Sequence, residues 1–389
     1  MSFRWPLLHY FSFDLKREIA ELYVSTAIAD IALALVLVLE PIFLYTSIKL
    51  SITQILLFFG AVYFLYIFAI PFGAKIISLY GYEHGILFSI PFQILYWFFL
   101  FGSVENHGFL YLAPVAYAIQ KALYWPALHA SVTRFAQNGQ RGREFSVLHA
   151  IVLLAQIVGP IIGGTLSDNF SIRMVFVIAS AIYTTSFIPL FTTPEIFVPK
   201  LYKFRDTWQL YKTYPKKAIA YMGFGEEFIA LIIWPVYIYI VVRDFERIGV
   251  LVTVATLVAT VLNLYFGRLT DRMNKQTLIK WGVVGTFIVW LLRIFGQTLW
   301  PVFLFDTLAR TVKDMVLIPL VTLTYERAEA THIMPYSVFF EQSLAIGKFF
   351  AFVLGAVIFT LLAGAWGMSA GFAGLFVLGG LFSLLYMLL

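Results

Sequence analysis

The sequence contains no cysteine and very little charge. Without a thiol it can form no disulfide, no cysteine-ligated zinc or iron–sulfur site and no thiolate nucleophile. Only 12% of its 389 residues are charged, whereas soluble proteins carry about 25%. In contrast, 61% of the residues are hydrophobic and 18% are aromatic. This composition excludes an ordinary water-soluble domain and predicts a polytopic membrane protein that uses hydrocarbon as its solvent.

Sequence signals of several functional classes are also missing. No G-x-x-x-x-G-K-[ST] segment is present, which argues against a built-in ATP motor. The six histidines are scattered without the spacing of a metal site, and no nucleophile stands at a defined spacing from a base. We therefore expect no enzyme activity, no cofactor and no metal. The net charge of +6 does not require a nucleic-acid partner, because the distribution of basic residues between loops explains it.

Apolar stretches separated by charged or Gly/Pro-containing connections predict an all-α protein with twelve transmembrane helices. Each stretch is close to the roughly 20 residues that a spanning helix needs. The predicted spans are residues 20–46, 51–72, 84–102, 109–135, 145–167, 172–192, 217–242, 247–266, 279–297, 301–326, 336–362 and 367–389.

Basic residues are distributed unequally between the two sides of these spans. If the N-terminus is cytoplasmic, the inner segments hold 18 Lys and Arg residues and the outer segments hold 4. Because this bias sets orientation, both termini are predicted to be cytoplasmic, most simply in the inner (plasma) membrane of a cell. The first 19 residues lack a signal-peptide pattern and are either a membrane-surface segment or a disordered tail.

The longest polar segment divides the chain into two sets of six spans. The predicted domains are an N-terminal half, 1–192, a cytoplasmic linker, 193–216, and a C-terminal half, 217–389. Sliding the chain against itself by 193 or 194 positions aligns several residues, such as Pro41 with Pro235. Two parallel six-helix halves are an architecture of secondary transporters.

The segment GRLTDRMNK, residues 267–275, stands between predicted spans 8 and 9. Gly267 permits close helix packing, and Asp271, followed by Arg272, can accept hydrogen bonds from basic groups or a helix end. This motif, its position and the layout of six plus six spans resemble the major facilitator superfamily. The corresponding segment of the N-terminal half keeps only its glycine, Gly73.

Two further features are similar to that family. Arg141 and Arg143 form a basic cluster in the loop between spans 4 and 5, where the family often has one, and together with the motif they suggest a cytoplasmic gate. In span 5, small residues and a proline favour close helix packing and a bend. The family's proton-driven exporters often carry such a pattern, although plain helix packing is the alternative. These residues are Gly159, Pro160, Gly163 and Gly164.

Twelve Asp, Glu, Lys and Arg residues fall inside the predicted spans and away from their ends. Each costs about 2.5–3.5 kcal/mol at the centre of a membrane, so we expect them to face a cavity or one another and to be the leading candidates for a site. They are Asp30, Glu40, Lys121, Glu226, Glu227, Arg293, Asp306, Arg310, Lys313, Asp314, Glu341 and Lys348.

The resemblance implies a central cavity lined by spans 1, 4, 7 and 10. Asp30 with Glu226 or Glu227 are the candidate proton-binding carboxylates, because burial favours a neutral carboxyl group and a nearby cation favours its release. A purely structural buried ion pair is the alternative. The candidate cavity residues are Lys121, Arg310, Lys313, Asp314, Tyr237 and Trp125.

We expect different roles for the other charged residues inside the spans. Asp306, Arg310 and Asp314 are spaced by four and can form a neutralising ladder, which leaves Lys313 available. Glu341 and Lys348 are expected to form a flank that pairs with a neighbouring helix. The remaining two are expected at the interface, with a solvated carboxylate at Glu40 and an outward-reaching side chain at Arg293. Membership of an outer gate is the alternative for Glu40.

The sequence therefore predicts a monomeric secondary transporter that moves a small solute by alternating access, coupled to protons. Export by antiport is favoured over import only through the span 5 pattern. Seven acidic and five basic in-span residues leave a formal charge of −2, which favours a cationic or zwitterionic solute. The alternative is a non-transporting sensor or lipid-handling protein on the same scaffold. Protons, the solute and membrane lipids are the expected partners.

Overall fold

A computed structural model of the chain describes residues 17–135, 141–192, 195, 197, 199–270 and 274–389, and the regular structure in these ranges is entirely helical. Short 3-10 turns occur at Ile188–Phe191, Arg293–Phe295 and Leu385–Leu388. The helices are α1 (Arg17–Leu37), α2 (Leu39–Thr46), α3 (Ile52–Tyr80), α4 (Tyr82–Gly102), α5 (Phe109–Phe135), α6 (Arg141–Asn169), α7 (Ile172–Thr185), α8 (Phe204–Thr213), α9 (Pro215–Met222), α10 (Gly225–Val242), α11 (Phe245–Thr270), α12 (Lys275–Leu292), α13 (Leu299–Ala330), α14 (Ile333–Trp366) and α15 (Met368–Leu384).

All twelve predicted spans fall on these helices. Three helices, α5, α6 and α13, are long enough to cross a bilayer but are more polar. Nine segments of the described chain are both long and apolar enough to cross. They are Glu21–Thr46, Ile52–Tyr80, Tyr82–Gly102, Ile172–Phe191, Pro215–Val242, Phe245–Leu262, Lys275–Phe295, Ile333–Trp366 and Met368–Leu388.

Two of the spans are interrupted. The first divides into α1 and α2 just before Pro41, whose missing N–H removes the bond that the carbonyl of Leu37 would otherwise receive. The seventh divides into α9 and α10 at Gly223 and Phe224, where backbone bonds tighten to the i, i+3 pattern. At this break the backbone of Met222 packs directly on Gly347, so α14 approaches more closely than a side chain would allow.

Several boundaries differ from the sequence-based expectation. Arg141 and Arg143 lie in the first turn of α6 and not in a loop, because the helix continues past its apolar stretch. Gly267 likewise falls within the last turn of α11, whereas Asp271 and Arg272 lie outside the described residues. The predicted linker, 193–216, contains the short helix α8, which the polarity of this segment did not reveal.

Small residues bring α6 against two neighbouring helices. A side chain at Gly159 or Gly163 would collide with the backbone of Ala34 or Leu35 on α1, so only glycine permits this approach. On the other side, Gly164 packs on the first residues of α11. The first of these contacts joins helices of the predicted N-terminal half, and the second joins the two predicted halves.

The other extensive contact between the predicted halves is that of α3 with α14. Aromatic side chains pack along this interface: the ring of Phe352 stacks on those of Phe59 and Tyr63 at centroid distances of 5.8 and 6.0 Å. The end of the bundle where α8 lies is called the linker end below, and the opposite end is called the far end.

A carboxylate from the linker caps α4 at the linker end. Gly81 precedes this helix with φ +115°, a conformation that favours glycine. The Glu195 side chain accepts hydrogen bonds from the backbone N–H groups of Tyr82 and Glu83 at 2.5 and 3.1 Å, and its other oxygen lies 2.8 Å from Nδ1 of His84. An anion at a helix N-terminus is favourable, so the linker stabilises the α3–α4 connection that lacks the charged motif.

Candidate functional site

A central cavity of about 510 Å³ lies among the helices, and the ionisable residues of the spans converge on it. Its walls come from α1, α2, α3, α5, α6 and α10 to α14, and they are mainly aliphatic and aromatic. All twelve in-span ionisable residues identified from the sequence line this cavity, which also receives His129. Charges that are costly in hydrocarbon are thus collected in one internal space.

The break in the seventh span places two glutamates at the N-terminus of a new helix. Glu226 and Glu227 occupy the first turn of α10, where the helix dipole stabilises negative charge. Both side chains line the cavity, although residues adjacent in a helix point about 100° apart. Cations approach these glutamates from two different helices, Lys313 from α13 and Lys348 from α14.

Lys313 of α13 pairs with Glu226. Its ammonium group donates to Oε1 of Glu226 and, at 3.1 Å, to the hydroxyl of Tyr386. The second oxygen of Glu226 accepts a hydrogen bond of 2.9 Å from the indole N–H of Trp290. Lys313 is therefore not the available cation that the spacing along α13 suggested, because its partner stands on another helix. Glu226 is almost fully buried and has a donor on each oxygen.

Glu227 links this pair to a second lysine. Its Oε1 lies 3.8 Å from Nζ of Lys313, and its Oε2 lies 3.5 Å from Nζ of Lys348 on α14. Two glutamates and two lysines therefore form a continuous chain of opposite charges across α10, α13 and α14. Adding or removing one proton in such a chain changes which pairs are favourable, because Lys313 has two carboxylates within reach and Glu227 has two lysines.

Arg293 is enclosed by two tryptophans. Its guanidinium carbon lies 4.3 Å from the ring centroid of Trp234 and 4.5 Å from that of Trp290. The residue is 3% exposed, so the expectation that it reaches outward was wrong. Aromatic faces attract a desolvated guanidinium, and this attraction holds the side chain inside.

Asp306 and Arg310 form the next pair along α13. Arg310 Nε donates to Oδ2 of Asp306 at 2.9 Å, as the spacing of four predicted for this step of the ladder. The indole N–H of Trp234 donates to Oδ1 of the same carboxylate at 2.9 Å. Each indole beside Arg293 thus also binds a carboxylate, Asp306 through Trp234 and Glu226 through Trp290. Asp314, the third member of the predicted ladder, also lines the cavity.

A histidine joins the predicted halves at the linker end of the cavity. His129 of α5 lies 2.8 Å from the Tyr325 hydroxyl of α13 and 2.8 Å from Oε1 of Glu341 on α14. The second oxygen of Glu341 accepts a hydrogen bond of 2.7 Å from the Tyr66 hydroxyl of α3. Four helices are therefore connected by one buried polar network. Glu341 and Lys348 do pair with neighbouring helices, but both also line the cavity.

Glu40 is buried and not at a solvated interface. Its Oε1 accepts a hydrogen bond of 2.6 Å from the hydroxyl of Tyr96, whose ring stacks on Tyr117 at 4.1 Å. Lys121 lies over the ring of Tyr117 at 4.2 Å from its centroid. The expectation of a solvated carboxylate was wrong, because Pro41 bends the helix where Glu40 turns towards α4 and α5.

Asp30 differs from the other cavity carboxylates. Its Oδ2 is buried and has no hydrogen-bond partner among the described residues. It lines the cavity beside Thr26 and Tyr124. An unmatched buried carboxylate oxygen is unfavourable, so this position accommodates a proton or a cationic group well.

Of the two aromatic residues predicted to line the cavity, Trp125 does so and Tyr237 does not. Trp125 lines the cavity and stacks on His129 at 5.8 Å. Tyr237 does not line it, because its ring packs between Trp234, at 5.5 Å, and the α15 residue Phe372, at 4.9 Å. The contribution of His129 was missed. Its position one turn after Trp125 on the same helix was the available signal. Within the described residues, no cluster of acidic residues and histidines could hold a metal.

Comparison with known proteins yields one family and one fold. A family model described as Major Facilitator Superfamily matches residues 22–305. Among solved structures, the chain is similar to the human organic anion transporter MFSD10 (TETRAN), with a TM-score of 0.66 and 14% sequence identity over 96% of this chain and 100% of that chain. No curated protein sequence matches the chain. At this identity, the structural likeness establishes the fold alone.

Proposed function

Because the chain belongs to the major facilitator superfamily and is therefore a secondary transporter, we propose that protons drive its solute transport through the cavity carboxylates. The family resemblance drawn from the sequence and the all-helical membrane fold are both confirmed. The family consists of transporters and not of enzymes, so the chemistry required of the cavity is binding and proton exchange.

The observation that carries the proposal is the convergence of all twelve in-span ionisable residues on one cavity. A purely structural role would need only enough pairs to neutralise one another. Instead, Lys313 reaches two carboxylates and Glu227 reaches two lysines. Alternative partners for one cation are what a proton-driven cycle requires, because protonation of one carboxylate transfers its cation to the next.

We assign proton binding to Asp30 and to the pair Glu226 and Glu227. Asp30 has an unmatched buried oxygen, so it gains most from binding a proton or a cation. Protonation of Glu226 releases Lys313 towards Glu227, where Lys313 competes with Lys348 for the same carboxylate. This exchange spans three helices, and it connects one proton-binding event to a movement of α13 and α14 relative to α10.

Alternating access in this proposal is a rocking of the half 1–192 against the half 217–389, with 193–216 as the linker. Contacts between the halves exist at both ends. At the far end, Asp168 of α6 accepts a hydrogen bond of 2.7 Å from the backbone N–H of Glu246, which lies in the first turn of α11. At the linker end, the His129 network joins the halves. Each end opens only when its own contacts break.

The charges of the cavity favour a cationic or zwitterionic solute. Seven carboxylates against five lysines and arginines leave a formal charge of −2, and aromatic walls suit an apolar body. The structural relative is described as an organic anion transporter, so the acidic excess favours a different solute class for this chain. The glycine-rich packing of α6 favours export, and the excess of basic residues favours cytoplasmic termini. We propose that the protein acts as a monomer in the plasma membrane.

Flux measurements in liposomes test the proposal. A thermal-shift screen of metabolites, drugs and lipids first identifies a ligand, and the purified protein is then assayed with an imposed pH gradient. Asp30→Asn and the double change Glu226→Gln/Glu227→Gln should abolish gradient-driven flux, whereas Glu105→Gln, an exposed control within the N-terminal half, should leave it unchanged. Gradient-driven flux that survives all the cavity substitutions intact refutes the assignment. Ligand binding without any flux supports the sensor or lipid-handling alternative.

A further inference from the structure

The short helix α8 lies between two membrane spans without crossing the membrane. It follows the span Ile172–Phe191 and precedes Pro215–Val242. Its 10 residues extend about 15 Å, half of what a bilayer core requires. The helix therefore does not span the membrane, and it packs at the linker end of the bundle.

One face of α8 is docked on α14. The hydroxyl of Thr207 donates to the Pro335 carbonyl at 3.2 Å, and that of Tyr211 donates to Oε1 of Gln342 at 3.3 Å. Burial raises the pKa of Tyr211 to about 12, so this hydroxyl remains protonated at physiological pH. Ser343 donates to the same Tyr211 oxygen at 3.3 Å. These contacts fix the orientation of α8 around its axis.

The face next to the docked one presents large apolar groups to the surroundings. Phe204 and Trp208 are spaced by four on this face and are 49% and 53% exposed, and Leu201, just before the helix, is 65% exposed. Arg205 and Lys212 are exposed on the same side of the helix. Aromatic rings beside basic groups are the pattern of a helix that lies in the headgroup region.

The surrounding segment is strongly basic. Residues 199–217 contain one acidic residue, Asp206, and six basic residues, which gives a net charge of +5. The basic residues are Lys200, Lys203, Arg205, Lys212, Lys216 and Lys217. A cluster of four to eight basic residues next to a membrane span attracts anionic lipid headgroups.

We propose that α8 binds the anionic phospholipid headgroups of the bilayer around it and transmits their charge to the transport cycle through its contact with α14. The docked residues Gln342 and Ser343 directly follow Glu341, which binds His129 at the linker end of the cavity. Headgroups that hold α8 at the surface thus fix the part of α14 that closes this end.

The depth of α8 tests the lipid contact independently of transport. Because the chain has no cysteine, Gln209→Cys provides one attachment point for a nitroxide on an exposed position of the helix. Its accessibility to oxygen and to a water-soluble nickel chelate is measured in vesicles of phosphatidylcholine and in vesicles of equal parts phosphatidylcholine and phosphatidylglycerol. We expect the label to lie deeper in the anionic vesicles, and the difference to shrink at high salt.

Charge neutralisation identifies the side chains responsible. The triple change Lys203→Gln/Arg205→Gln/Lys212→Gln should raise at least about fivefold the phosphatidylglycerol fraction needed for half of the shift, because each lost cation contributes on this scale. Lys49→Gln/Arg243→Gln/Arg247→Gln removes the same charge at the far end and should have no effect. Equal label depth in both vesicles, or equal effects of the two triple variants, overturns the proposal.

The link to α14 rests on the proposed function and is tested separately. Tyr211→Phe removes the hydroxyl that contacts Gln342 and Ser343 while leaving the exposed face intact. We expect this variant to keep the lipid-dependent depth of the label and to lose the dependence of flux on phosphatidylglycerol. Flux of the parent protein that is identical in both vesicles overturns the link. Absence of flux under every condition, with the depth shift retained, refutes the transport proposal and not the lipid contact.

Discussion

The ion pair of Glu226 and Lys313 offers a quantitative test of the cavity. Removing one partner of a buried pair costs about 3–5 kcal/mol, since the other charge is left uncompensated. Glu227, 3.8 Å from Lys313 Nζ, takes over part of the interaction, so we expect Glu226→Gln to cost about 3 kcal/mol, at the lower end of this range. Gln keeps an oxygen for the Trp290 indole, so the loss is confined to the charge.

The reciprocal change completes a double-mutant cycle. Lys313→Met leaves Glu226 without its cation and the Tyr386 hydroxyl without its donor. Like Glu226→Gln, it should lower the free energy of unfolding by about 3 kcal/mol. Additivity would predict about 6 kcal/mol for the double variant, but this variant leaves neither member of the pair as an uncompensated charge. We expect about 3 kcal/mol for the double variant, which corresponds to a coupling energy of about 3 kcal/mol.

The free energy of unfolding is measured in mixed micelles with an increasing fraction of denaturing detergent. Lys280→Met and Glu246→Gln change exposed charges and should each stay within about 0.5 kcal/mol of the parent protein. If the two losses are additive, so that the coupling energy is within about 0.5 kcal/mol of zero, direct pairing of Glu226 and Lys313 is refuted.

Three further predictions concern helix contacts. The hydrogen bond between His129 and the carboxylate of Glu341 is worth about 1.5–3 kcal/mol, and it holds the linker end closed. His129→Leu should therefore make a single cysteine at Leu128 react about tenfold faster with a membrane-impermeant maleimide added at that end. Tyr325→Phe, which removes only the hydroxyl partner of His129, should have a smaller effect. Gly163→Ala should destabilise the protein by at least about 1–3 kcal/mol because its Cβ meets the Leu35 backbone, whereas Gly364→Ala, with open space around it, should be neutral or stabilising in the same unfolding assay. Glu195→Ala should cost about 0.5–2 kcal/mol and increase proteolysis next to Tyr82, and unchanged cleavage would contradict a capping role.

The sequence predicted the spans well because hydrocarbon imposes long apolar helices on any chain that crosses it. The same physics identified the cavity residues: a charge inside a span has few acceptable surroundings, and all twelve such residues line the cavity. The motif at 267–275 and the division into six and six spans were sufficient to suggest the family. These signals are local in the sequence or depend on counting along it.

Pairing within the cavity could not be predicted in the same way. The partner of Lys313 is 87 positions away on another helix, and the environment of Arg293 is formed by two tryptophans from different helices. Glu40 was placed at the interface because its distance along the helix suggested an outer position. Its burial depends on Tyr96, a residue of α4. Such contacts follow from helix packing and leave no periodic signature in the chain.

The helix α8 was missed for a related reason. The segment looks only polar and basic along the sequence, whereas helical spacing sets Thr207 and Tyr211 on one face and Phe204 and Trp208 directly beside it. A short helix of this kind depends on docking, here on α14, and a search for 20-residue apolar stretches does not detect it.

The cap on α4 sets an order of events during synthesis. The backbone N–H groups of Tyr82 and Glu83 receive their acceptor from Glu195, 113 positions after Tyr82, so this helix emerges from the ribosome long before its cap exists. All six spans of the N-terminal half are complete by residue 192, yet the connection between the second and third still lacks a ligand for its helix end. An isolated N-terminal half that stops before residue 195 is thus missing a part of its own structure, and the linker belongs to that half as a folding element.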